Sequence, residues 1–357
     1  MAAPVTPRQL AAPYRGVSIE EALQVPAVYR SVNTVATLVS SLTIDAVRNG
    51  QPLKTQPALV RKPNLDCSRR AFVYDTVMSM ALHGEFFWYH PRTNILEVPS
   101  NVAVLAPLDV QVYMDDNGIV QYRRNTFAGW VEVPRLHITH EKLTRLPGLR
   151  GRGPIQTAPL VIWGALKLEE FVGMWWDENQ IPEGLLSTDQ DISPDQARRW
   201  SDEWMKARRE NRTAVLGKGL RYEVIEIDPQ KALYTEATKL KTVQIAQLFG
   251  IPAAILDAPS GDSQTYANVQ QRHQALRDYT LRSYLDPIEG AWGELLPTGT
   301  FARFRTDELL RMDEAARATF YSQASGNQPW LLVDEIRDRE GLPPINQETS
   351  VDGGSNV

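Results

Sequence analysis

Apolar positions at helical spacing mark the first helices of the chain. One stripe with a spacing of three or four residues comprises Val28, Val32, Val35, Val39 and Leu42. This spacing places the stripe on one face of an amphipathic helix. Ser18-Ile19-Glu20-Glu21 precedes it and has the form of a capping box, with serine at the N-cap and glutamate three residues later. Because Pro26 lies between them, the pattern predicts a short helix, an interruption and a longer helix that ends before the Asn49-Gly50 turn.

Residues 228–296 show two more helical patterns, separated by a polar loop. The first begins at Asp228-Pro229, an acidic N-cap with proline at the first position, and ends at the glycine C-cap Gly250-Ile251-Pro252. The second begins near Ser263, and its apolar stripe comprises Leu281, Leu285, Ile288, Trp292 and Leu295. We expect a kink or a break at Pro287, where a backbone hydrogen bond is lost. The loop at 256–262 is small, acidic and turn-forming, so we expect it to be exposed and mobile.

Shorter patterns fill the region between about 43 and 145. They alternate strands with one helix, Arg69 to Leu82, and predict an α+β domain. Two strand patterns, Val110 to Met114 and Ile119 to Arg123, flank Asp115-Asp116-Asn117-Gly118. This is a hairpin signal, because Asn-Gly tolerates the positive φ angles of a tight turn.

The second half of the chain begins with a long helical pattern at 155–180, opened by Pro154. Five of the nine tryptophans lie between Trp163 and Trp204, which predicts burial there, either in a core or between subunits. Residues 181–228 predict a compact unit with a strand at 184–188, a helix capped by Ser193-Pro194, and strands around 214–216 and 220–227. A strand at 301–304, helices at 306–323 and 331–339, and a disordered tail at 346–357 complete the chain.

Several short motifs follow one another in a set order from about residue 17 to 345. They are Ala22-Leu23 with Pro26 to Asn33, Lys62-Pro63-Asn64, Leu82-His83-Gly84-Glu85, Gly151-Arg152-Gly153-Pro154-Ile155, Ile181-Pro182-Glu183-Gly184-Leu185-Leu186, Leu248-Phe249-Gly250-Ile251-Pro252, and Asp334-Glu335-Ile336-Arg337 with Gly341-Leu342-Pro343-Pro344. Each motif is weak alone, but the ordered set is specific. Together with the helix, loop and kinked helix of 228–296, it resembles the portal proteins of tailed bacteriophages, of the lambdoid siphophage type.

The resemblance implies an α+β, portal-like subunit with a mixed α/β wing, a two-helix stem, a small α/β clip, a long kinked helix and a short helical crown. The implied divisions are a flexible arm at 1–16, wing parts at 17–153 and 251–305, antiparallel stem helices at 154–180 and 229–250, a clip at 181–228, a crown at 306–345 and a tail at 346–357. The second wing part would hold a tunnel loop at about 256–264 and the long helix at 264–296.

The implied function is that of a non-enzymatic subunit of a dodecameric ring at one capsid vertex. Double-stranded DNA would pass through the ring during packaging and ejection. The implied partners are further copies of the chain, the major capsid protein, the terminase large subunit and the head-tail adaptor protein, with no cofactor and no membrane. The implied location is the virion, with the host cytoplasm during assembly.

Three groups of candidate residues follow from the resemblance. The channel loop comprises Asp257, Ala258, Pro259, Ser260, Gly261, Asp262, Ser263 and Gln264, and stem lysines that would face the channel are Lys231, Lys239 and Lys241. The most basic patch comprises Lys206, Arg208, Arg209, Arg212, Lys218 and Arg221. This patch is a docking surface on the clip or a guide for phosphates, weighed evenly against a solvated helix face. The net charge of −5 argues against tight phosphate neutralisation and fits a conduit.

Enzymatic alternatives rest on few residues. His137, His140 and Glu141 form the one metal-like cluster, and with the basic patch they define a rival hypothesis, a metal-dependent enzyme acting on nucleic acid. On a strand, residues three apart point to opposite faces, so a structural role is favoured. The glycine-rich segment 148–153 lacks a P-loop ending and is interpreted as a flexible linker. Cys67 is the single cysteine, which excludes an internal disulfide and carries no sign of catalysis. A capsid structural protein without DNA contact is the third hypothesis.

Overall fold

The computed structural model of the protein describes residues 16–92, 98–176, 184–188, 191–209, 219–224, 234–256, 274–306, 314–326, 329–340, 342–343 and 345. The helices are α1 Ile19–Leu23, α2 Pro26–Ser41, α3 Ala58–Arg61, α4 Arg69–His83, α5 Pro154–Thr157, α6 Pro159–Trp176, α7 Pro194–Arg209, α8 Tyr234–Leu248, α9 Arg282–Leu295, α10 Glu314–Ala324 and α11 Val333–Arg339. Short 3₁₀ turns occupy Pro107–Asp109, Arg135–His137 and Ala253–Leu256, and a π-helical turn occupies Leu276–Leu281.

Four small antiparallel sheets accompany these helices. The strands are β1 Ile44–Arg48, β2 Gln51–Pro52, β3 Glu85–Tyr89, β4 Ala103–Leu105, β5 Val110–Met114, β6 Val120–Thr126, β7 Gly129–Val133, β8 Ile138–Lys142, β9 Gly184–Thr188, β10 Leu220–Val224 and β11 Thr300–Phe304. Their orders are β11-β1-β2, β4-β3-β8, β5-β6-β7 and β10-β9. Among the helices of the described ranges, none combines the length and the apolar character that crossing a lipid bilayer requires.

Strand β3 separates two hydrophobic cores. Successive side chains of a strand point to opposite faces. Phe86 and Trp88 are therefore buried in the main core with the helices, whereas Phe87 is buried in a smaller core on the other face. The smaller core also contains Val110 and Tyr122 from the β5-β6-β7 sheet. The helical layer and the hairpin sheet are thus joined through one five-residue strand.

An aromatic cluster fixes the helices of the main core to this strand. The ring centroids of Trp88 and Phe72 of α4 are 5.0 Å apart, and those of Trp88 and Trp292 of α9 are 5.1 Å apart. The indole Nε1 of Trp88 donates a hydrogen bond of 3.0 Å to Thr76 of α4. Tilted and edge-on aromatic pairs of this kind stabilise a core beyond their buried area. Helices from the two ends of the chain therefore meet at Trp88.

The pairing of β1 with β11 joins distant parts of the sequence. Its register runs from Ile44 opposite Phe304 to Arg48 opposite Thr300. The Arg48 guanidinium also donates to the Thr300 hydroxyl at 2.8 Å. The two segments that the sequence assigns to the wing therefore share one sheet.

The predicted helix starts and turns are confirmed where the structure describes them. The backbone N–H of Ser18 donates to the Glu21 carboxylate at 2.9 Å, and that of Glu21 donates to the Ser18 hydroxyl at 3.1 Å. The apolar stripe of α2 is buried. Asn49 and Gly50 both have positive φ and turn β1 into β2. The helix at 69–82, the hairpin at 110–123, the strand at 184–188 and the helix start at Ser193-Pro194 also form as predicted.

The single helix predicted at 155–180 is wrong. Two helices, α5 and α6, meet at Ala158, whose φ of −129° and ψ of 58° are not helical. Pro159 is the cause, because the residue before a proline is disfavoured in helical conformation. The new helix then begins at Pro159, where a missing N–H costs nothing. Residues 177–180 lie outside the described ranges.

Burial of the tryptophans in a core does not hold for Trp163. Its side chain is 39% exposed, and the neighbouring apolar residues Leu160, Phe171 and Met174 of α6 are also exposed. The buried face of α6 instead carries Ile162 and Ala165. Burial of Trp163 between subunits stays a prediction.

The break expected at Pro287 is also wrong, because α9 continues through that residue. The departure from regular geometry is the π-helical turn, which ends just before α9. Proline inside a helix costs about 3 kcal/mol, but Leu285 and Ile288 on either side of it are buried. Burying two such side chains contributes about 3 to 6 kcal/mol, so packing holds the helix together across the proline.

Several other predicted elements lie outside the described residues. They are the arm at 1–15, the strand around 214–216, the helix start at 228–229, the helix start near Ser263 and the tail at 346–357.

Gly84 shows the tightest backbone approach in the fold. It ends α4 with φ of +77°, and its N–H donates to Met80. A Cβ added at this position would overlap the backbone of Arg152 and Gly153. A Cβ at Gly151 would in turn overlap the Gly84 carbonyl. Two of the sequence motifs, 82–85 and 151–155, are therefore packed backbone against backbone.

We expect Gly84→Ala to destabilise the protein far more than Gly118→Ala. Gly118 also has φ of +77°, but nothing lies within 4 Å of its added Cβ. The control therefore loses only the left-handed penalty of about 1 to 2 kcal/mol. Gly84→Ala adds overpacking of about 1 to 3 kcal/mol. Urea unfolding at one protein concentration measures both, and equal losses would show that the backbone approach is not limiting.

Candidate functional site

The predicted channel loop, 257–264, lies outside the described residues, but the segments before and after it are described. On the preceding side, Ile251 and Leu256 are buried in the main core. The Arg30 guanidinium of α2 donates to the Ile255 carbonyl at 3.3 Å. On the following side, the Thr280 hydroxyl of the π-helical turn donates to the Gly250 carbonyl. The two ends of the segment 257–273 are therefore tied to each other and to α2.

The stem prediction corresponds to α6 and α8, which pack against each other. Lys241 of α8 lies across α6, because a Cβ added at Gly164 would stand 2.9 Å from its Nζ. The small residue lets this long side chain rest on the facing helix. Lys239 is exposed, and Lys231 lies outside the described ranges. Channel-facing positions for these lysines stay a prediction.

The basic patch of the predicted clip is described in part. Lys206 on α7 and Arg221 on β10 are exposed. Arg208 and Arg209 are the last two residues of α7, while Arg212 and Lys218 lie outside the described ranges. Strands β9 and β10 pair from Gly184 opposite Val224 to Thr188 opposite Leu220. The clip thus has the predicted strand and helix content, and its docking role stays a prediction.

The candidate metal ligands do not converge. His137 Nε2 lies 2.7 Å from the Arg92 carbonyl. The Glu141 carboxylate pairs with Arg145 at 2.6 Å. His140 Nε2 lies 2.9 Å from a carboxylate oxygen of Glu85. Each member of the cluster thus has a partner elsewhere, and the described part of the chain holds no group of three ligating side chains placed around one metal position.

Cys67 is no better placed for catalysis. Burial, followed by the charges of Asp75 and Asp66, raises the pKa of its thiol above the ordinary value. A nucleophilic cysteine requires the opposite shift, because the thiolate is the reactive form.

Glu85 is the centre of the most deeply buried charged network that the structure describes. Its side chain is 2% exposed. One carboxylate oxygen accepts from His140 Nε2 at 2.9 Å and from the Gly151 backbone N–H at 2.6 Å. The other accepts from Arg150 Nε at 2.5 Å. Three donors from two distant segments therefore satisfy one buried anion, as burial of a charge demands.

Arg150 extends the network to the hairpin sheet. Its two terminal nitrogens donate to the carbonyls of Val110 and Pro107 at 2.8 and 2.9 Å. Its guanidinium also lies 5.3 Å from the ring centroid of Phe87. A guanidinium is a fixed fork of donors and can hold several acceptors at once. Arg150 thus connects β3, the start of β5 and the glycine-rich segment.

The partners of Glu85 keep it ionised. Burial by itself raises its pKa, but the hydrogen bonds from His140 and Gly151 and the charge of Arg150 outweigh burial and lower the pKa below the ordinary value. Tyr122 lies 3.4 Å from the other ring nitrogen of His140. A neutral imidazole with its proton on Nε2 therefore donates to Glu85 and accepts from Tyr122.

This network corrects both interpretations of the glycine-rich segment. Gly151 is neither a free linker nor a cradle for an external phosphate, because its N–H binds an internal carboxylate. The sequence gave no pairing signal for Glu85 and Arg150, which lie 65 positions apart. The one available signal is a charged residue directly before the apolar run 86–89, which marks an ion at the end of a buried strand.

We expect Glu85→Gln to lower the free energy of unfolding at pH 7 by about 3 kcal/mol, since breaking a buried pair leaves its partners uncompensated. Glu132→Gln is the matched control, because Glu132 forms an exposed pair with Arg123 at 2.6 Å. Exposed pairs contribute less than about 1 kcal/mol. Urea unfolding of both variants and the wild type measures the difference, and equal losses would contradict the role of burial.

The same variant tests the pH dependence. Because the pKa of Glu85 is lowered on folding, its stabilisation is complete above the ordinary glutamate pKa of about 4.3. It is lost as the pH falls through the folded-state pKa. The gap between wild type and Glu85→Gln should therefore shrink in acid.

Comparison with known proteins gives a consistent family. The sequence profile described as "Phage portal protein" matches residues 26–341. The "Probable portal protein" of Streptomyces phage phiC31 is 23% identical over 360 residues, which cover 92% of this chain and 77% of that protein. The "Portal protein" of Enterobacteria phage HK97 is 23% identical over 350 residues, which cover 92% of this chain and 81% of that protein.

Solved structures show the same fold. A chain in the neck of an empty gene transfer agent particle aligns with a TM-score of 0.63 and 19% identity, covering 91% of this chain and 94% of that one. The crystal structure of an HK97 family phage portal protein from Corynebacterium diphtheriae aligns with a TM-score of 0.62 and 18% identity, covering 83% and 98%. The predicted portal-like α+β fold is confirmed. Because the family profile spans most of its length, the chain belongs to the phage portal protein family.

Proposed function

We propose that the protein is the subunit of a closed ring at one capsid vertex, through which double-stranded DNA enters during packaging and leaves during ejection. The observation that carries this proposal is the match of the portal family over residues 26–341. A related structure, the neck of a native gene transfer agent particle, was computed with C12 symmetry. That symmetry supports a dodecamer, built by heterologous head-to-tail contacts that close.

The proposed division of the subunit follows the packing. The wing comprises 17–153 and 251–305, which share the β1–β11 pairing. The stem comprises 154–180 and 229–250, within which α6 and α8 pack together. Between them, 181–228 form the clip, which contains the β9–β10 pair and α7. Residues 306–345 form a small crown.

The exposed face of α6 supports a ring. Leu160, Trp163, Phe171 and Met174 are each between 39% and 49% exposed. Leu240 of α8 is 57% exposed. Contiguous apolar exposure of this kind marks interaction surfaces. Neighbouring subunits would contact one another along these two helices.

The proposed channel contacts are weak by design. Residues 257–264 would project toward the DNA from a base held by Thr280 and Gly250. Two aspartates in this loop, Asp257 and Asp262, repel phosphates at short range, and salt weakens that repulsion. Lys231, Lys239 and Lys241 would offer scattered attraction. A moving polymer requires this balance, because tight phosphate neutralisation would hold it in place.

The proposed partners act at the two outer parts of the ring. The clip, with its basic patch around Lys206 and Arg221, would dock the terminase large subunit during packaging and the head-tail adaptor afterwards. The wing would contact the major capsid protein. Portal proteins are structural, so the work of packaging would come from the ATP-hydrolysing partner. The subunit would be found at the virion vertex and, during assembly, in the host cytoplasm.

Imaging of the purified protein by negative stain, together with mass determination, tests the ring directly. We expect closed rings with a central hole. A stable monomer at micromolar concentration would contradict the proposal and return attention to the alternative functions.

Deletion of residues 258–262 tests the channel loop. We expect rings to assemble normally, because the described packing lies outside the loop, while the amount of packaged or retained genome falls. The control is a full-length loop with Asp257→Asn and Asp262→Asn, which removes charge but keeps the shape. Full-length packaged genomes from the deletion variant would refute the loop assignment and favour a structural protein without DNA contact.

A further inference from the structure

A groove of 370 Å³ lies between α1 and α6. Its α1 side is lined by Val17, Glu21 and Gln24, and its α6 side includes Trp163 and Leu166. Gly16, the first described residue, also lines it. The chain that precedes Gly16 therefore emerges directly at the groove.

The lining of the groove is apolar in its centre and charged at its rim. Trp163 and Leu166 supply the apolar part, while Glu21 and Glu170 supply carboxylates. The Lys167 ammonium pairs with Glu170 and lies 5.9 Å from the Trp163 ring centroid. A segment that fits here carries an aromatic or aliphatic side chain beside a cation and has no carboxylate of its own.

Residues 1–15 have this chemistry. They contain three prolines, the apolar residues Val5, Leu10 and Tyr14, and two arginines, with no aspartate or glutamate. Prolines favour the extended polyproline II conformation, which aromatic-lined grooves recognise. Arg8 and Arg15 complement the carboxylates at the rim.

We propose that residues 1–15 of the same chain occupy the groove, with Tyr14 against Trp163 and Leu166, and with Arg15 beside Glu21. Tyr14 is two residues from Gly16, a reach of about 7 Å in an extended chain. A short tether of this kind raises the effective concentration of the arm to the millimolar range. The attached arm is therefore favoured over the arm of any other copy.

The spacing of the arm also matches α6. Leu10 precedes Tyr14 by four residues, or about 12 Å in polyproline II. Phe171 follows Trp163 by eight residues, or about 12 Å along a helix. With Tyr14 at Trp163, Leu10 lies at the exposed Phe171 and covers the next part of the apolar stripe.

A disulfide experiment identifies the occupant. Tyr14→Cys and Glu170→Cys are combined in a Cys67→Ser background and oxidised in the assembled protein. We expect a bond within one chain, seen as a faster-migrating monomer on a non-reducing gel, to form at least tenfold faster than in the control. The control pairs Tyr14→Cys with Phe127→Cys, since Phe127 is fully exposed at the turn between β6 and β7.

The other outcomes overturn the proposal. Bonds between chains would assign the groove to the arm of a neighbouring copy. Equal rates in the test and control pairs would show that the arm does not dock.

Hydroxyl-radical footprinting gives an independent readout. Deletion of residues 2–15 should raise oxidation of Trp163 severalfold and leave that of Trp130, which is 51% exposed on β7, unchanged. Unchanged oxidation of Trp163 would contradict the proposal.

Discussion

The structure depends on the burial of one carboxylate. Glu85 cannot be taken out of water without donors, and no donor from its own strand satisfies it. The fold supplies them from β8 and from the segment that leads into α5. This requirement brings 150–153 against the end of α4 so closely that only glycine fits at positions 84 and 151. The direction in which the chain leaves the wing for α6 is thereby set by an electrostatic demand.

Two further ties complete the frame around this centre. The β1–β11 pairing closes the wing with a strand from near the end of the chain. The Thr280–Gly250 hydrogen bond joins the end of α8 to the helix that follows the loop segment. Each tie links residues far apart in sequence, and each lies beside the main core. The loop, stem and wing therefore share one rigid base, which suits a ring whose working parts must keep their positions while DNA moves past.

Local signals in the sequence predicted much of the fold. The capping box at Ser18, the stripe of α2 and the Asn49-Gly50 turn are encoded within a few residues, so they could be inferred without knowledge of the tertiary structure. The break before Pro159 follows from a local rule, but a continuous apolar pattern hid it. The continuity of α9 through Pro287 could not be inferred, because it depends on packing against residues far away in sequence.

The candidate site was less predictable than the fold. Ordered motifs indicated the family, yet the partnership of Glu85 with His140 and Arg150 depends on three-dimensional proximity alone. The same histidine that suggested a metal ligand serves as a donor to this carboxylate. Chemistry-bearing residue types in a single sequence thus indicate burial and charge more reliably than they indicate a reaction.

The π-helical turn at Leu276–Leu281 has a geometrical consequence. Hydrogen bonds that span five residues instead of four hold one residue more than an α-helical turn. Each residue of an α-helix advances the side chain direction by about 100°. The turn therefore sets the azimuth at which the upstream chain departs, independently of the buried stripe downstream. Removal of one residue there would keep Leu285, Ile288 and Trp292 in the core and rotate everything before them by about a quarter of a circle.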